Sequence, residues 1–277
     1  MITFKDINYI RYGNNKNRTI VMLHGWGQNI EMMKFIGDKL DEDVLIIDLP
    51  GFGKSKEPDT VLSIYDYANL VHDLISNLEI KNIILIGHSF GGKIALAYAS
   101  KYKVEKLVLL ASPFKSKENK INIRTKVLKK LKKVPGLNKL EEFAKKHIGS
   151  TDYKNASGIM REILVKHVNL DITEDVKKIT CPTLIIWGDN DECVPVSDGK
   201  LLEKLIKDSG LIVFEGCTHY AYLERLDQLI RILNEFLKWC GDDFYENTIR
   251  CDFWWWYSRT WGKYHNCCTS YGKYGSK

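Results

Sequence analysis

Apolar residues in this chain follow two kinds of spacing. Short continuous runs rich in Val, Ile and Leu, bounded by turn residues, recur at 19–24, 44–48, 82–86, 107–111, 183–187 and 211–214. Continuous runs of this length describe strands covered on both faces, because a strand wetted on one side alternates apolar and polar positions instead. The intervening segments 29–40, 63–78 and 90–101 repeat their apolar residues every three or four positions, which gives each helix one stripe to bury. Strands and helices alternating in this way predict an α/β fold, a doubly wound and mostly parallel sheet with helices on both faces.

Between residues 113 and 179 the strand pattern stops, and helical stretches take over with breaks at Pro135-Gly136 and Gly149-Ser150. The expectation is a helical lid, 113–179, inserted into a core formed by 1–112 and 180–240, with a helix over 220–239 closing the fold. Residues 240–277 then contain no Leu, Val, Ala, Met or Pro, yet hold four of the seven Cys and four of the seven Trp. Such a segment lacks the aliphatic side chains that pack a helix or strand on a core, so 241–277 is read as a disordered or non-native tail outside the fold. An interfacial aromatic anchor is a weaker reading. A metal site from Cys251, His265, Cys267 and Cys268 is weaker still, because adjacent cysteines lack the spacing of a structural zinc site.

Composition narrows the class without changing this picture. A chain of 277 residues holds one large domain, and its 44% hydrophobic and 27% charged residues are those of a folded globular protein. No apolar run approaches the ~18 residues of a membrane span, and the opening MITFKDINYI is polar where a signal peptide is apolar, so a cytoplasmic protein is expected. Cys181, Cys193 and Cys217 stand singly along the body and read as buried thiols. The net charge of +6 is uneven: residues 115–178 carry 17 Lys and Arg against 8 Asp and Glu, a lobe of +9. A solvated helix face explains such a run most simply, as Lys126–Lys133 alternating with Val127, Leu128 and Leu131 suggests; an acidic carrier protein, an anionic substrate or a membrane surface are the functional alternatives. No nucleic-acid-binding module is present in the sequence.

The candidate chemistry starts at Gly87-His88-Ser89-Phe90-Gly91, directly after one apolar run and directly before a helical segment. Glycines on both flanks permit a sharp strand-to-helix turn that raises the serine hydroxyl above the sheet at a helix N-terminus. A hydroxyl needs a base, and His219, in Gly216-Cys217-Thr218-His219 just past the last run, stands at the sheet edge that should face Ser89. His147 and His167 fit lid packing, His24 and His88 local hydrogen bonds, and His72 an ordinary helix position. An acid on the other imidazole nitrogen is expected at the end of run 183–187, where Gly188-Asp189-Asn190-Asp191 offers two carboxylates, Asp191 or Asp189. The loop His24-Gly25-Trp26-Gly27 and the N–H of Phe90 can supply two backbone donors to a developing oxyanion, with the Trp26 side chain serving either substrate binding or packing. The glycines of Asp48-Leu49-Pro50-Gly51-Phe52-Gly53-Lys54-Ser55 read as a tight structural turn, since a P-loop's spacing is absent.

Together HGWGQN, DLPGFGKS, GHSFGG, IIWGDND and GCTHYAYLE resemble the α/β-hydrolase superfamily across residues 1–239, in its order and spacing. Within it the chain is most similar to small carboxylesterases with a helical lid, such as the pimeloyl-acyl-carrier-protein methyl ester esterases. The resemblance implies a serine esterase with no cofactor or metal, acting on a small-molecule ester, with Ser89, Asp191 and His219 as triad and the backbones of Trp26 and Phe90 as oxyanion donors. It also implies a glycine where Thr218 stands before the histidine. Serine at 89 argues against the dehalogenase and epoxide-hydrolase branches, which use an aspartate nucleophile. The same triad also runs C–C bond hydrolysis, amide hydrolysis and eliminations, and some proteins of this fold only bind ligands.

Overall fold

A computed structural model describes residues 2–13, 17–116 and 156–238. The chain divides into two units, 1–230 and 231–277, and the elements that build the site all belong to the first. A short 3-10 turn, Phe4–Asp6, leads into β1 (Tyr9–Tyr12), β2 (Thr19–Leu23), α1 (Ile30–Gly37), β3 (Asp43–Ile47), α2 (Ile64–Asn77), β4 (Ile83–His88), α3 (Phe90–Ala99) and β5 (Lys106–Leu110). After the undescribed stretch come α4 (Gly158–Asn169), α5 (Thr173–Val176), β6 (Thr183–Gly188), α6 (Val196–Leu205), β7 (Ser209–Phe214), α7 (Ala221–Glu224) and α8 (Leu226–Lys238).

Among the described residues seven strands form one sheet in the order β1-β3-β2-β4-β5-β6-β7. Only β1 is antiparallel, paired to β3; every other pair is parallel. This is the doubly wound, mostly parallel sheet that the apolar runs predict, in the α/β-hydrolase arrangement that the resemblance implies. Every residue of β2, β3, β4, β5 and β6 is buried, whereas the edge strand β7 alternates half-buried and buried positions. The contrast follows from position: inner strands carry helices on both faces, and an outer strand is wetted on one.

Helix starts are locally encoded. The Asn29 side chain accepts from Glu31 N–H at α1, and at α2 Ser63 and Asp66 satisfy each other's backbone donors in a capping box. Three elements depart from the sequence reading. β1 has no apolar run, because its exposed edge position needs none. α6 lies between the runs 183–187 and 211–214, where the sequence pattern assigns no element. The expected helix 220–239 is interrupted at Arg225, whose φ of −125° and ψ of 41° leave the helical region, and becomes α7 and α8. The lid expectation is described only at its end, in α4 and α5; its breaks at Pro135-Gly136 and Gly149-Ser150, His147, and the tail 241–277 lie outside the described residues. Among the described residues no helix is long and apolar enough to cross a membrane.

Candidate active site

Chain order turns back between β2 and β4: β3 lies on one side of β2 and β4 on the other. Crevices at the carboxyl ends of strands flanking such a reversal are where open α/β sheets bind ligands. Strand register assembles the site there. Leu23 pairs with Gly87, His88 with Leu110, Leu110 with Ile186, and Gly188 with Phe214, so the loops carrying Trp26, Ser89, Asp191 and His219 all leave the same sheet edge.

The turn from β4 to α3 is set by sterics. Ser89 has φ 50° and ψ −110°, a region that costs a non-glycine residue about 1–3 kcal/mol. Its neighbours hold it there: Ser89 N–H donates to Leu110 O at 2.9 Å, and Gly91 N–H to His24 O at 3.1 Å. A Cβ on Gly91 would sit 2.4 Å from Leu23 O, and one on Gly92 would sit 1.8 Å from Ser112 Oγ. Only glycine lets α3 approach β2 and the end of β5 this closely. α3 begins at Phe90, whose N–H is among the first-turn donors that a helix leaves without an intrahelical partner.

Hydrogen bonds fix the β6 and β7 loops. Asp191 is buried, and its Oδ1 accepts N–H from Cys193 and Val194, both at 2.8 Å. Its Oδ2 lies 2.7 Å from His219 Nδ1, so the ring donates there and a neutral imidazole keeps a lone pair on Nε2. Asp189 is exposed and turns the other way, accepting Gly216 N–H at 2.7 Å. The structure therefore joins His219 to Asp191 and uses Asp189 to close the β7 turn. Thr218, standing where the resemblance implies glycine, binds Glu224 through its N–H at 2.9 Å and its hydroxyl at 2.5 Å, so the substituted position anchors the loop to α7.

His88 joins the two halves of the site. Its ring lies 4.9 Å from that of His219, with Nε2 3.2 Å from His219 O and Nδ1 3.2 Å from Gln28 Oε1. Burial, with the neighbouring His219 adding to it, pushes the His88 pKa down to about 3, so the ring is neutral and donates to one of these oxygens at a time. His24 is likewise buried and pushed down to about 4, donating to Gly25 O and accepting Leu49 N–H. Gln28 Oε1 also accepts Gly25 N–H at 2.8 Å, which curls the loop that carries Trp26. Gln28 is not among the sequence-predicted site residues; its place in HGWGQN is the available signal.

An aromatic wall completes the site. Trp26 meets Phe52 and Phe90 edge-on, with centroids 4.9 and 5.1 Å apart, and His167 of α4 meets Phe90 at 4.7 Å. Phe52 comes from the loop read as purely structural. That reading is half right: Asp48, buried, accepts from Asn8 Nδ2, Ile30 N–H and Lys54 N–H and holds the loop, while Phe52 faces the wall. Lys93 on α3 is buried and donates from Nζ to His167 O at 2.9 Å and Leu170 O at 2.5 Å, satisfying carbonyls that the end of α4 leaves open. Burial pushes its pKa down to about 8 against the pull of Asp171. His72 stacks on Tyr102 on the α2–α3 side, away from this edge. The expectation of buried thiols holds at Cys217, is half met at Cys181 and fails at Cys193, whose turn points its amide to Asp191 and leaves the residue exposed. Among the described residues one group could hold a metal ion, Asp191, Cys193 and His219.

A strained serine turn at a helix N-terminus, sharing one parallel sheet edge with a histidine tied to a buried carboxylate, defines a hydrolase-type site. The chain belongs to the alpha/beta hydrolase family, whose model matches residues 20–232. It is 27% identical over 249 residues to the AB hydrolase superfamily protein YisY of Bacillus subtilis, covering 79% of this chain and 91% of the relative. A 2-hydroxy-6-oxononadienedioate/2-hydroxy-6-oxononatrienedioate hydrolase of Pseudomonas putida is 28% identical over 269 residues, covering 84% and 92%. Among solved structures, a bromoperoxidase from Bacillus anthracis is similar with a TM-score of 0.67 at 26% identity, covering 84% of this chain and 95% of that one.

Proposed function

We propose that this hydrolase cleaves a carboxylic ester of a small molecule through an acyl-enzyme on Ser89, with His219 as base, Asp191 as its orienting acid and no cofactor. The observation that carries the reading is the 2.7 Å bond from His219 Nδ1 to Asp191 Oδ2, which leaves Nε2 as the basic nitrogen on a loop bound to the elbow through His88. His219 Nε2 takes the Ser89 Oγ proton as Oγ attacks the ester carbonyl. The oxyanion is stabilised by the N–H groups of Phe90 and Trp26, and the tetrahedral species collapses as His219 returns the proton to the leaving alkoxide. Water, deprotonated by the same imidazole, then attacks the acyl carbon and frees the acid and Ser89. The half-buried Trp26 and Phe52, packed on the buried Phe90, support an apolar acyl or alcohol group in the substrate.

A second reading, hydrolysis of a C–C bond, is favoured by the Pseudomonas putida relative, whose named substrate is an oxo-dioate without an ester. An acidic carrier protein docking on the basic lid belongs to the same proposal, but Lys129, Lys130, Lys132 and Lys133 lie outside the described residues. The test is a panel of p-nitrophenyl esters of increasing chain length beside amide and C–C substrates, with fluorophosphonate labelling. Ester turnover and labelling confined to Ser89, with Ser89→Ala losing about 10⁴-fold or more in kcat while staying folded, is the expected result. Full labelling or undiminished turnover of Ser89→Ala overturns it, and preference for the C–C substrate selects the second reading.

A further inference from the structure

We infer that Asp191, Cys193 and His219 form a site for a thiophilic divalent cation of the zinc or cadmium class, and that its occupation switches the hydrolase off. One carboxylate oxygen, one thiol sulfur and one imidazole nitrogen from these residues all lie within 4.8 Å of one another. Tetrahedral zinc binds O and N at about 2.0–2.2 Å and S at about 2.3 Å, which puts its ligand atoms roughly 3.3–3.8 Å apart. Small side-chain adjustments reach that spacing. The carboxylate is already aimed, because Cys193 and Val194 N–H hold Asp191 Oδ1 and leave Oδ2 facing the imidazole. Cys193 is exposed and opens the site to ions from solvent.

The chemistry of occupation follows from the tautomer. The cation takes the place of the proton between His219 Nδ1 and Asp191 Oδ2, the Cys193 thiol releases its proton to solvent, and a water supplies the fourth ligand. A neutral imidazole that ligates through Nδ1 carries its one proton on Nε2. It then has no lone pair with which to receive the Ser89 proton. The cation thus removes the base without touching the serine.

The inhibitory consequence rests on the reading of His219 as base, whereas binding of the cation does not, so the experiment has two arms. In the first, full-length protein and its Cys193→Ser and Cys193→Ala variants are titrated with Zn²⁺ in the ester assay, each against its own metal-free rate. Wild type should lose turnover and regain it with EDTA, and both variants should require at least about tenfold more zinc. In the second, Cd²⁺ titration follows the ultraviolet thiolate-to-cadmium charge-transfer absorption, and wild type should exceed both variants by one thiolate's share. Equal zinc sensitivity of wild type and variants overturns the inference, as does the absence of a difference band. A difference band in a protein without ester turnover supports the site and sinks the esterase reading instead.

Discussion

The nucleophile turn and the acid–base corner sit at one sheet edge but are held by different physics. At the turn, geometry comes from contact: glycines at 91 and 92 let α3 lie against β2 and β5, and Ser89 is forced to φ 50° by what surrounds it. At the corner, geometry comes from directed hydrogen bonds, two N–H groups on Asp191, Asp191 on His219, and Glu224 on Thr218. A contact-built site tolerates no added atom, whereas a bond-built one tolerates changes of shape and fails on changes of charge or donor.

The largest expected effect in that comparison is at the corner. Asp191→Asn keeps shape but removes the charge that fixes the imidazole tautomer, and kcat should fall by about 10³–10⁴-fold. Asp189→Asn, which still offers an oxygen to Gly216 N–H, should stay within a few-fold of wild type. Steady-state kinetics of the pair decide the matter, and equal losses would sink the distinction.

Next in size is acid sensitivity beneath the turn. His24 and His88 have folded-state pKa values of about 4 and about 3, against an ordinary 6.5. Below about pH 6.5 the unfolded chain binds protons that the folded chain refuses. Stability is therefore complete above that pH and falls as pH drops toward 4, by about 1.4 kcal/mol per pH unit for each histidine. Urea melts at pH 7 and pH 5 measure the slope, and His24→Asn should remove one histidine's share; an unchanged slope would mean that His24 is not held neutral.

Gly92→Ala probes the turn itself. Its new Cβ would meet Ser112 Oγ at 1.8 Å, and overpacking of this kind costs about 1–3 kcal/mol, with activity falling in parallel because Ser89 moves. The double variant Gly92→Ala/Ser112→Ala should recover part of both, measured by thermal melting and kcat. The smallest effect is expected from Thr218→Ala, which gives up an exposed hydroxyl bond to Glu224 and should lower stability by about 0.5–1.5 kcal/mol with kcat nearly unchanged.

What the sequence alone determined is what local spacing controls. Among the described residues six of the seven strands lie on continuous apolar runs, three helices follow the helical spacing and two of them carry side-chain caps, and the serine turn shows itself because flanking glycines are needed wherever a strand doubles sharply into a helix. β1 escaped because an exposed edge strand needs no apolar run, and the break at Arg225 because the stripe continues through it. Spacing along the chain left Asp191 and Asp189 open, since both are carboxylates of one turn; the resemblance pointed to Asp191, and only tertiary structure supplied the physical reason, the N–H donors and the imidazole that Asp191 finds and Asp189 does not. It alone brought Phe52, Gln28 and His167 to the site and set buried Lys93 against the end of α4, across 74 positions of sequence to His167. The physical reason is range: spacing along a chain reports the neighbours that one helix or strand must bury, whereas the partners of a polar group are chosen among residues that only the folded sheet brings within 3 Å.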